Sequence, residues 1–355
     1  MAPYCDIIIP VWNLLKKTRR CLESIFRYTH IPFRLILVDN ASQKPTADFL
    51  QQIKLKAHCP VEVIRNEENL GNIKAVNQGV HISKAPYLCI LDNDTIVFLE
   101  WLERMIKAAE SSEKIGIINP ASNSLGFKKP WYLSWEKFAN QIAGSQKSNV
   151  VEMATAMGFC MLVKRSVVDQ IGGWSEDYGM GYYEDRDFSL RAARAGFSCA
   201  VARDAFVYHE EHASFKKMRR IQIRKASAQN RRLFEGRFGV PERIAFCLNH
   251  ATTFGLETLK EKALTLARAN HWVWIFHKQK QLTREFFEHS NIKWVRLPPR
   301  FDRLYEIFYI LKKKKRFNRI YSDDPYLIDM LQRFRNFHRA RIELMNHDAI
   351  DSQKN

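Results

Sequence analysis

Short apolar runs alternate along the chain with longer stretches in which apolar positions return every three or four residues. "CDIIIPVW" (5–12) predicts a buried strand, "LLKKTRRCLESIFRYT" (14–29) an amphipathic helix and "FRLILVDN" (33–40) a second strand. "TADFLQQIKLKA" then predicts a helix, "VEVIRN" a strand, "GNIKAVNQGVHIS" a helix with Ile73, Val76 and Val80 on one face, and "YLCILDND" another strand. A βαβαβαβ order is that of an α/β fold, a mostly parallel sheet flanked by helices on both faces.

After "WLERMIKAAESS" and the strand "IGIINP" the pattern lapses. Residues 121–150 mix polar positions with aromatics, as a substrate-facing excursion would. Order returns at "GFCMLVKR", followed by a helix from about Glu184 to Ala195 and short strands near Ala200 and Val207. The basic stretch "KKMRRIQIRKASAQNRRLFEGRFG" (216–239) predicts a helix that ends the first unit. Beyond Pro241 a second alternation runs: strand "RIAFCL", helix "ETLKEKALTLARA", strand "HWVWIFH", helix "QLTREFFEH", strand "IKWVRLP", helix "DRLYEIFYILKKKK", strand "FNRIYS" and helix "YLIDMLQRFRNFHRARIELM". Two domains are expected, residues 1–238 and a smaller Rossmann-like α/β domain over 239–355. In "FDRLYEIFYILKKKKRF" the apolar positions nearly surround the helix, which favours core packing over an interfacial helix resting on anionic headgroups.

Composition removes alternatives more than it adds any. At 46% hydrophobic and 26% charged residues, disordered and collagen-like chains are excluded. "MAPYCDIIIPVW" has neither a basic leader nor a long apolar core, and no run reaches the roughly 18 apolar residues of a membrane span, so a cytoplasmic protein is expected. Seven cysteines without Cys-x-x-Cys spacing read as reduced, buried thiols. Net charge is +18, with 23 Lys+Arg against 13 Asp+Glu from Arg237 onward. That balance suits an anionic partner: nucleic acid, an anionic membrane surface touched peripherally, or a phosphorylated substrate.

Ligands of open α/β sheets bind beyond the carboxyl ends of the strands. Those ends supply Pro10, Val11 and Asn13, then Asp39 and Asn40, then Arg65 and Asn66, then Asp92, Asn93 and Asp94. Two carboxylates beside a buried strand are costly unless a cation neutralises them. A hard divalent ion such as Mg²⁺ or Mn²⁺ takes oxygen ligands from one or two carboxylates and from substrate phosphates. A second acidic group, Glu184, Asp185 and Asp187, falls in the first turn of a helix, where it complements the dipole or supplies a general base. His209 and His212 follow a short strand, and an imidazole placed there suits the same ion.

The ordered series "IIIPVWN", "CLESI", "LVDNAS", "VIRNEENLGNIKAVNQG", "YLCILDNDT", "GFCMLVKRSVVDQIGGWSEDYGMGYYEDRDFSLRAARAGF" and "VYH" resembles glycosyltransferase family 2, the inverting enzymes of GT-A fold, and among them the rhamnosyltransferase-like bacterial members. The resemblance covers residues 5–212. It implies that Pro10, Val11 and Asn13 cradle a nucleotide base, that Asp39 contacts base or ribose, and that Arg65, Asn66, Asn69 and Gly71 line the nucleoside side. It further implies that Asp94 holds the metal, that Asp92 helps hold ribose or metal, with Asn93 beside it on the nucleotide-sugar side, that His209 is a metal ligand, and that Asp185, with Glu184 adjacent, is the base.

The reaction implied by the resemblance is a single displacement at the anomeric carbon of a UDP- or dTDP-linked sugar. The acceptor would be a glycan or lipid-linked glycan of a bacterial surface polysaccharide. More weakly, 243–355 resembles the N-terminal half of a GT-B glycosyltransferase. No second nucleotide-binding half comes before Asn355, which leaves a shortened chain or a degenerate partner unit. Three rivals fit less well. A sugar nucleotidyltransferase needs a Gly-rich loop after the first strand, and "IIIPVWNLLKK" has none. "KKMRRIQIRK" is the only stretch suited to a nucleic-acid module, and no recognition motif accompanies it. A non-catalytic scaffold would lack the site acids.

Overall fold

Runs rich in Ile, Leu and Val fold as the buried strands of two separate sheets in a computed structural model, which describes residues 4–144, 150–210, 220–249, 253–278, 287–298, 300–312 and 316–345. The chain divides into two units, Met1–Phe238 and Gly239–Asn355. All seven cysteines are free thiols, six of them buried. No described helix is long and apolar enough to cross a membrane.

In the first unit β1 (Cys5–Val11), β2 (Phe33–Asp39), β3 (Val61–Arg65) and β4 (Tyr87–Leu91) form a parallel half-sheet in the order β3-β2-β1-β4. The helices α1 (Leu15–Tyr28), α2 (Lys44–Lys56) and α3 (Asn72–Ile82) connect them. Then come β5 (Thr95–Val97), α4 (Trp101–Glu110), β6 (Ile115–Ala121), α5 (Trp135–Ala143), β7 (Val150–Met153), β8 (Cys160–Lys164), α6 (Arg165–Ile171), α7 (Glu184–Arg194), β9 (Ser198–His209) and α8 (Arg220–Phe238). The sheet continues from β4 through β8, β6 and β9 to β5, with β8 antiparallel to both neighbours. Separate apolar clusters fill the two faces, one under α1 and α4, the other under α3 and α7.

One buried carboxylate ties the parallel half together. Asp6 accepts two bonds from Arg34 at 2.9 Å, one from Ser83 Oγ at 2.6 Å, and the backbone N–H groups of Lys84 and Ala85. Burial alone raises its pKa, but these donors outweigh burial and hold the carboxyl below its usual value.

The alternation of the first 95 residues is reproduced, while the structure corrects the reading further along. The excursion 121–150 contains α5, which an aromatic-rich sequence had hidden. The strands expected near Ala200 and Val207 are one twelve-residue strand, β9. Arg203 and Asp204 look like a turn because the pairing with β6 shifts register there, from Pro120↔Ala202 to Ala121↔Phe206.

The second unit is a parallel sheet of β10 (Arg243–Leu248), β11 (Trp272–His277), β12 (Ile292–Arg296), β13 (Arg319–Ser322) and β14 (Arg341–Leu344), ordered β12-β11-β10-β13-β14. α9 (Thr253–Arg268) covers one face, and α10 (Asp302–Lys312) and α11 (Pro325–Arg333), with the short α12 (Arg335–His338), cover the other. The last expected helix, 326–345, is thus three elements. Arg339 takes a left-handed φ of 56°, which ends α12, and "RIEL" pairs beside β13, tertiary pairing overriding the helical preference of those residues. The expected helix "QLTREFFEH" lies largely outside the described residues, and its described end is not helical. Nor does α10 bury itself all round: Ile307 and Ile310 are in the core, while Phe301 and Phe308 are 73% and 60% exposed.

Glycine matters most at Gly79, where α3 presses on the central strand. A Cβ built there lies 2.4 Å from Ile8 Cγ2. Gly79→Val is therefore expected to lose about 2 kcal/mol or more of stability, read as a drop in the chemical-denaturation midpoint.

Candidate active site

Strand β4 leaves the sheet at Leu91, and the next three residues form a tight, bonded turn. Asp92 N–H donates to Phe159 O at 2.8 Å, while Thr95 returns both its N–H and its Oγ to Asp92 O at 3.2 and 2.8 Å. Asn93 is buried and donates to Thr18 Oγ1 at 2.9 Å. After the turn, β5 pairs antiparallel with β9 so that Thr95 faces His209. The last residue of a long strand is thereby set against the acidic turn.

The result is a cluster of Asp92, Asp94 and His209 whose ligand atoms lie within 4.8 Å of one another. His209 Nε2 is 3.2 Å from Asp94 Oδ1 and 3.6 Å from Asp92 Oδ2. The other ring nitrogen, Nδ1, is 3.0 Å from Ser124 Oγ, and the ring stacks on Phe159 at 5.1 Å. Asn123 grips both the N–H and the C=O of His209, at 2.9 and 2.8 Å. A ring held at one nitrogen and one face presents the other nitrogen to the carboxylates. Two carboxylates and an imidazole are a donor set suited to a divalent cation. His212 lies outside the described residues.

The cluster opens into a cavity of about 560 Å³. One wall is Pro10, Val11, Asn40, Asn69 and Gly71, and the opposite wall is the segment Met180–Arg186, including Glu184 and Asp185. Gly71 sits at φ +87° with Met180 against it, so this glycine serves both backbone and space. Asp92, Asn93 and Asp94 line the same space.

Four of the predicted nucleotide residues do not line the cavity. Asp39 is 1% exposed, accepts from Ser42 N–H at 2.8 Å and is ion-paired with Arg65. Asn13 accepts from Gln43 N–H at 2.8 Å, and Asn66 exchanges two amide bonds with Gln78. Asp39 and Asn66 are buried behind the wall, and Arg65 lies half exposed beside Asp39. Asn66 donates to Asn40, and Asn40 in turn bonds Asn69, Leu70 N–H and Gly71 O.

The three acids of α7 divide by surroundings. Asp187 is fully buried and bonded to Arg191, Arg237 and Tyr178, so it is structural. Asp185 faces the cavity and accepts from Gly158 N–H at 3.2 Å and Arg186 N–H at 2.7 Å, and burial raises its pKa. Glu184 has one buried carboxylate oxygen without a hydrogen-bond partner among the described residues, and burial together with Asp185 pushes it up to about 8. Burial pushes Asp92 up to about 7, against the pull of His209 and with the repulsion of Asp94 and Asp185.

Sequence reasoning missed the supports of this wall. Tyr182 and Tyr183 both adopt positive φ, 72° and 78°, which costs each of order 1 kcal/mol. Asn230 of α8, 7% exposed, holds them there by donating to the carbonyls of Tyr178, Gly181 and Tyr182. Lying in a basic run, Asn230 showed no sequence signal. Ser124, Asn123 and Phe159 were equally silent, since each acts through His209. Asn230→Ala removes the side-chain donor to these carbonyls, of which Tyr178 O keeps Gly181 N–H at 3.2 Å, and is expected to cost about 1–3 kcal/mol, read by thermal melts.

The sequence of residues 6–172 matches the Glycosyl transferase family 2 profile. Glycosyltransferase AglE of Haloferax volcanii is 24% identical over 210 residues, covering 58% of this chain and 67% of that protein. An uncharacterized glycosyltransferase of Haemophilus influenzae is 28% identical over 198 residues, covering 52% of this chain and 60% of its own length. Among solved structures, the mannosyltransferase PcManGT of Pyrobaculum calidifontis, in complex with GDP-Man and Mn²⁺, superposes at a TM-score of 0.50 with 16% identity. That superposition covers 67% of this chain and 64% of PcManGT and shows a shared fold. The N-terminal unit thus has the GT-A fold and, over residues 6–172, is similar in sequence to the family 2 glycosyltransferases.

Proposed function

We propose that the chain transfers a sugar, with inversion, from a UDP- or dTDP-linked donor to a hydroxyl of a glycan or lipid-linked glycan, in bacterial surface polysaccharide synthesis. The observation that carries this reading is a single cavity into which Asp92, Asp94, His209, Glu184 and Asp185 all open. The complex of the fold neighbour PcManGT with GDP-Man and Mn²⁺ supports a nucleotide-sugar donor and a divalent ion. Pro10 and Val11 with Asn40, Asn69 and Gly71 form the wall against which the nucleoside rests, and Asp39, Arg65, Asn13 and Asn66 hold that wall in shape.

Asp94, Asp92 and His209 would hold a Mg²⁺ or Mn²⁺ ion. Bound there, the ion would neutralise charge on the departing diphosphate. In the tautomer that donates Nδ1–H to Ser124, the Nε2 lone pair of His209 would face that position. Asp185 takes the proton from the acceptor hydroxyl as its oxygen bonds to the anomeric carbon and the bond from that carbon to the diphosphate oxygen breaks. One in-line attack inverts the configuration. Burial and their mutual repulsion raise Glu184 and Asp185 together, while the bonds from Gly158 and Arg186 N–H act on Asp185 alone and favour its charged form. The two backbone N–H groups on Asp185 fix its direction.

Asp185→Asn is expected to lower kcat 10²-fold or more with donor KM little changed, and Glu184→Gln to lower it less. Wild-type turnover in Asp185→Asn removes the base assignment. A screen of UDP-, dTDP- and GDP-sugars for metal-dependent hydrolysis identifies the donor.

Proton and cation compete for Asp92. Its folded pKa is raised, so the folded state binds the proton more tightly than the unfolded chain, and the metal-free protein loses stability as pH rises from about 4 to 7. Mn²⁺ is therefore expected to raise Tm more at pH 8 than at pH 6, and Asp94→Asn to abolish the increase. Activity that is insensitive to chelators contradicts the metal role.

A further inference from the structure

We propose that the C-terminal unit docks on an anionic membrane surface through the face formed by α10 and α12. α10 is built with two apolar sides. Ile307 and Ile310 face the core of the unit, whereas Phe301 just before the helix, Leu304, Tyr305 and Phe308 are 73%, 55%, 41% and 60% exposed. Positions 301, 304, 305 and 308 have the spacing of one helix face, so they form a stripe. α12 packs beside α10 and adds Phe337, 66% exposed, with Phe334 at its start. None of these side chains belongs to the buried cluster beneath α10 and α11.

Charge identifies the occupant. The carboxyl end of α10 carries the exposed Lys312, whose ammonium lies 5.1 Å over the Phe308 ring. At the amino ends of β13 and β14, a cleft of about 440 Å³ is lined by Arg316, Arg339 and Arg341, with His338 and Glu242. None of these three arginines is ion-paired among the described residues, and Glu242 is occupied by Arg319. His338 is buried, its Nδ1 accepting from Ala340 N–H and its Nε2 bonded to Leu331 O, so both ring nitrogens are engaged within the protein and the arginines are left to face the cleft. The nearby exposed acid Asp329 is paired with Arg333 at 2.7 Å.

Exposed aromatics beside unpaired basic groups match a bilayer interface, where apolar side chains enter the headgroup region and arginines meet lipid phosphates. A second copy of the chain is disfavoured, because a two-fold contact through this face would set the arginines against themselves. Nucleic acid does not account for a stripe containing leucine. The proposal is independent of the sugar-transfer reading.

The test uses the full chain and pelleting with vesicles of phosphatidylcholine alone or mixed with phosphatidylglycerol. Binding is expected only with phosphatidylglycerol present, falling as salt is raised. The pair Phe301→Ser and Phe308→Ser is expected to lower the bound fraction 10-fold or more. Arg339→Glu with Arg341→Glu does the same, at about 5-fold or more for each basic residue lost. Both pairs are exposed substitutions and keep the wild-type circular dichroism and Tm. Absence of pelleting, equal pelleting on neutral vesicles, or variants that bind like wild type overturns the proposal. So does light scattering that shows a dimer dissolved by the phenylalanine pair, or nucleic-acid binding lost in the same variants.

Discussion

Four carboxylates converge on one cavity, and their mutual repulsion is the constraint to which the rest of the N-terminal unit answers. Asp92, Asp94, Glu184 and Asp185 come from two distant segments, the end of β4 and the first turn of α7. Neither segment would place acids so close for stability's sake. Burial raises Asp92 and Glu184 into the neutral range, so without a cation part of the charge is removed by protons instead. The surroundings are arranged around this need. His209 sets a ring nitrogen against the two aspartates, the α7 dipole faces Glu184 and Asp185, and Arg237 and Arg191 neutralise Asp187 behind them.

The opposite wall is built by a different means. Asp39, Arg65, Asn66 and Gln78 form a bonded layer that sets Asn40, and Asn40 sets the chain from Asn69 to Gly71. Polar groups at the strand ends thus bond to one another and do not line the cavity. α8 supports the facing wall through Asn230. Its abundant positive charge disguised that role as one of simple solvation.

Legibility tracked the physics of each element. The alternation up to Leu91 was readable because every strand there is an uninterrupted apolar run, and the acidic turn stood out because buried strands rarely end in two carboxylates. β9 was split in the reading because Arg203 and Asp204 bulge out of register, a tertiary event without a local code. The same is true of "RIEL", whose strand state depends on β13. α10 was read as core because its sequence is apolar all round, and only the sheet it covers decides which side is buried. Ser124, Asn123, Phe159 and Asn230 stayed silent since their role is to hold another residue.

The central claim is that Asp92, Asp94 and His209 make one cation site that balances this acidic cavity. It is tested most directly by electron paramagnetic resonance of Mn²⁺ bound to the full chain in the presence of UDP, dTDP or GDP. One bound ion per chain is predicted, with nitrogen hyperfine coupling that disappears in His209→Ala and no binding in Asp94→Asn. A bound ion unaffected by either substitution, or no bound ion with any of the three nucleotides, would contradict the account.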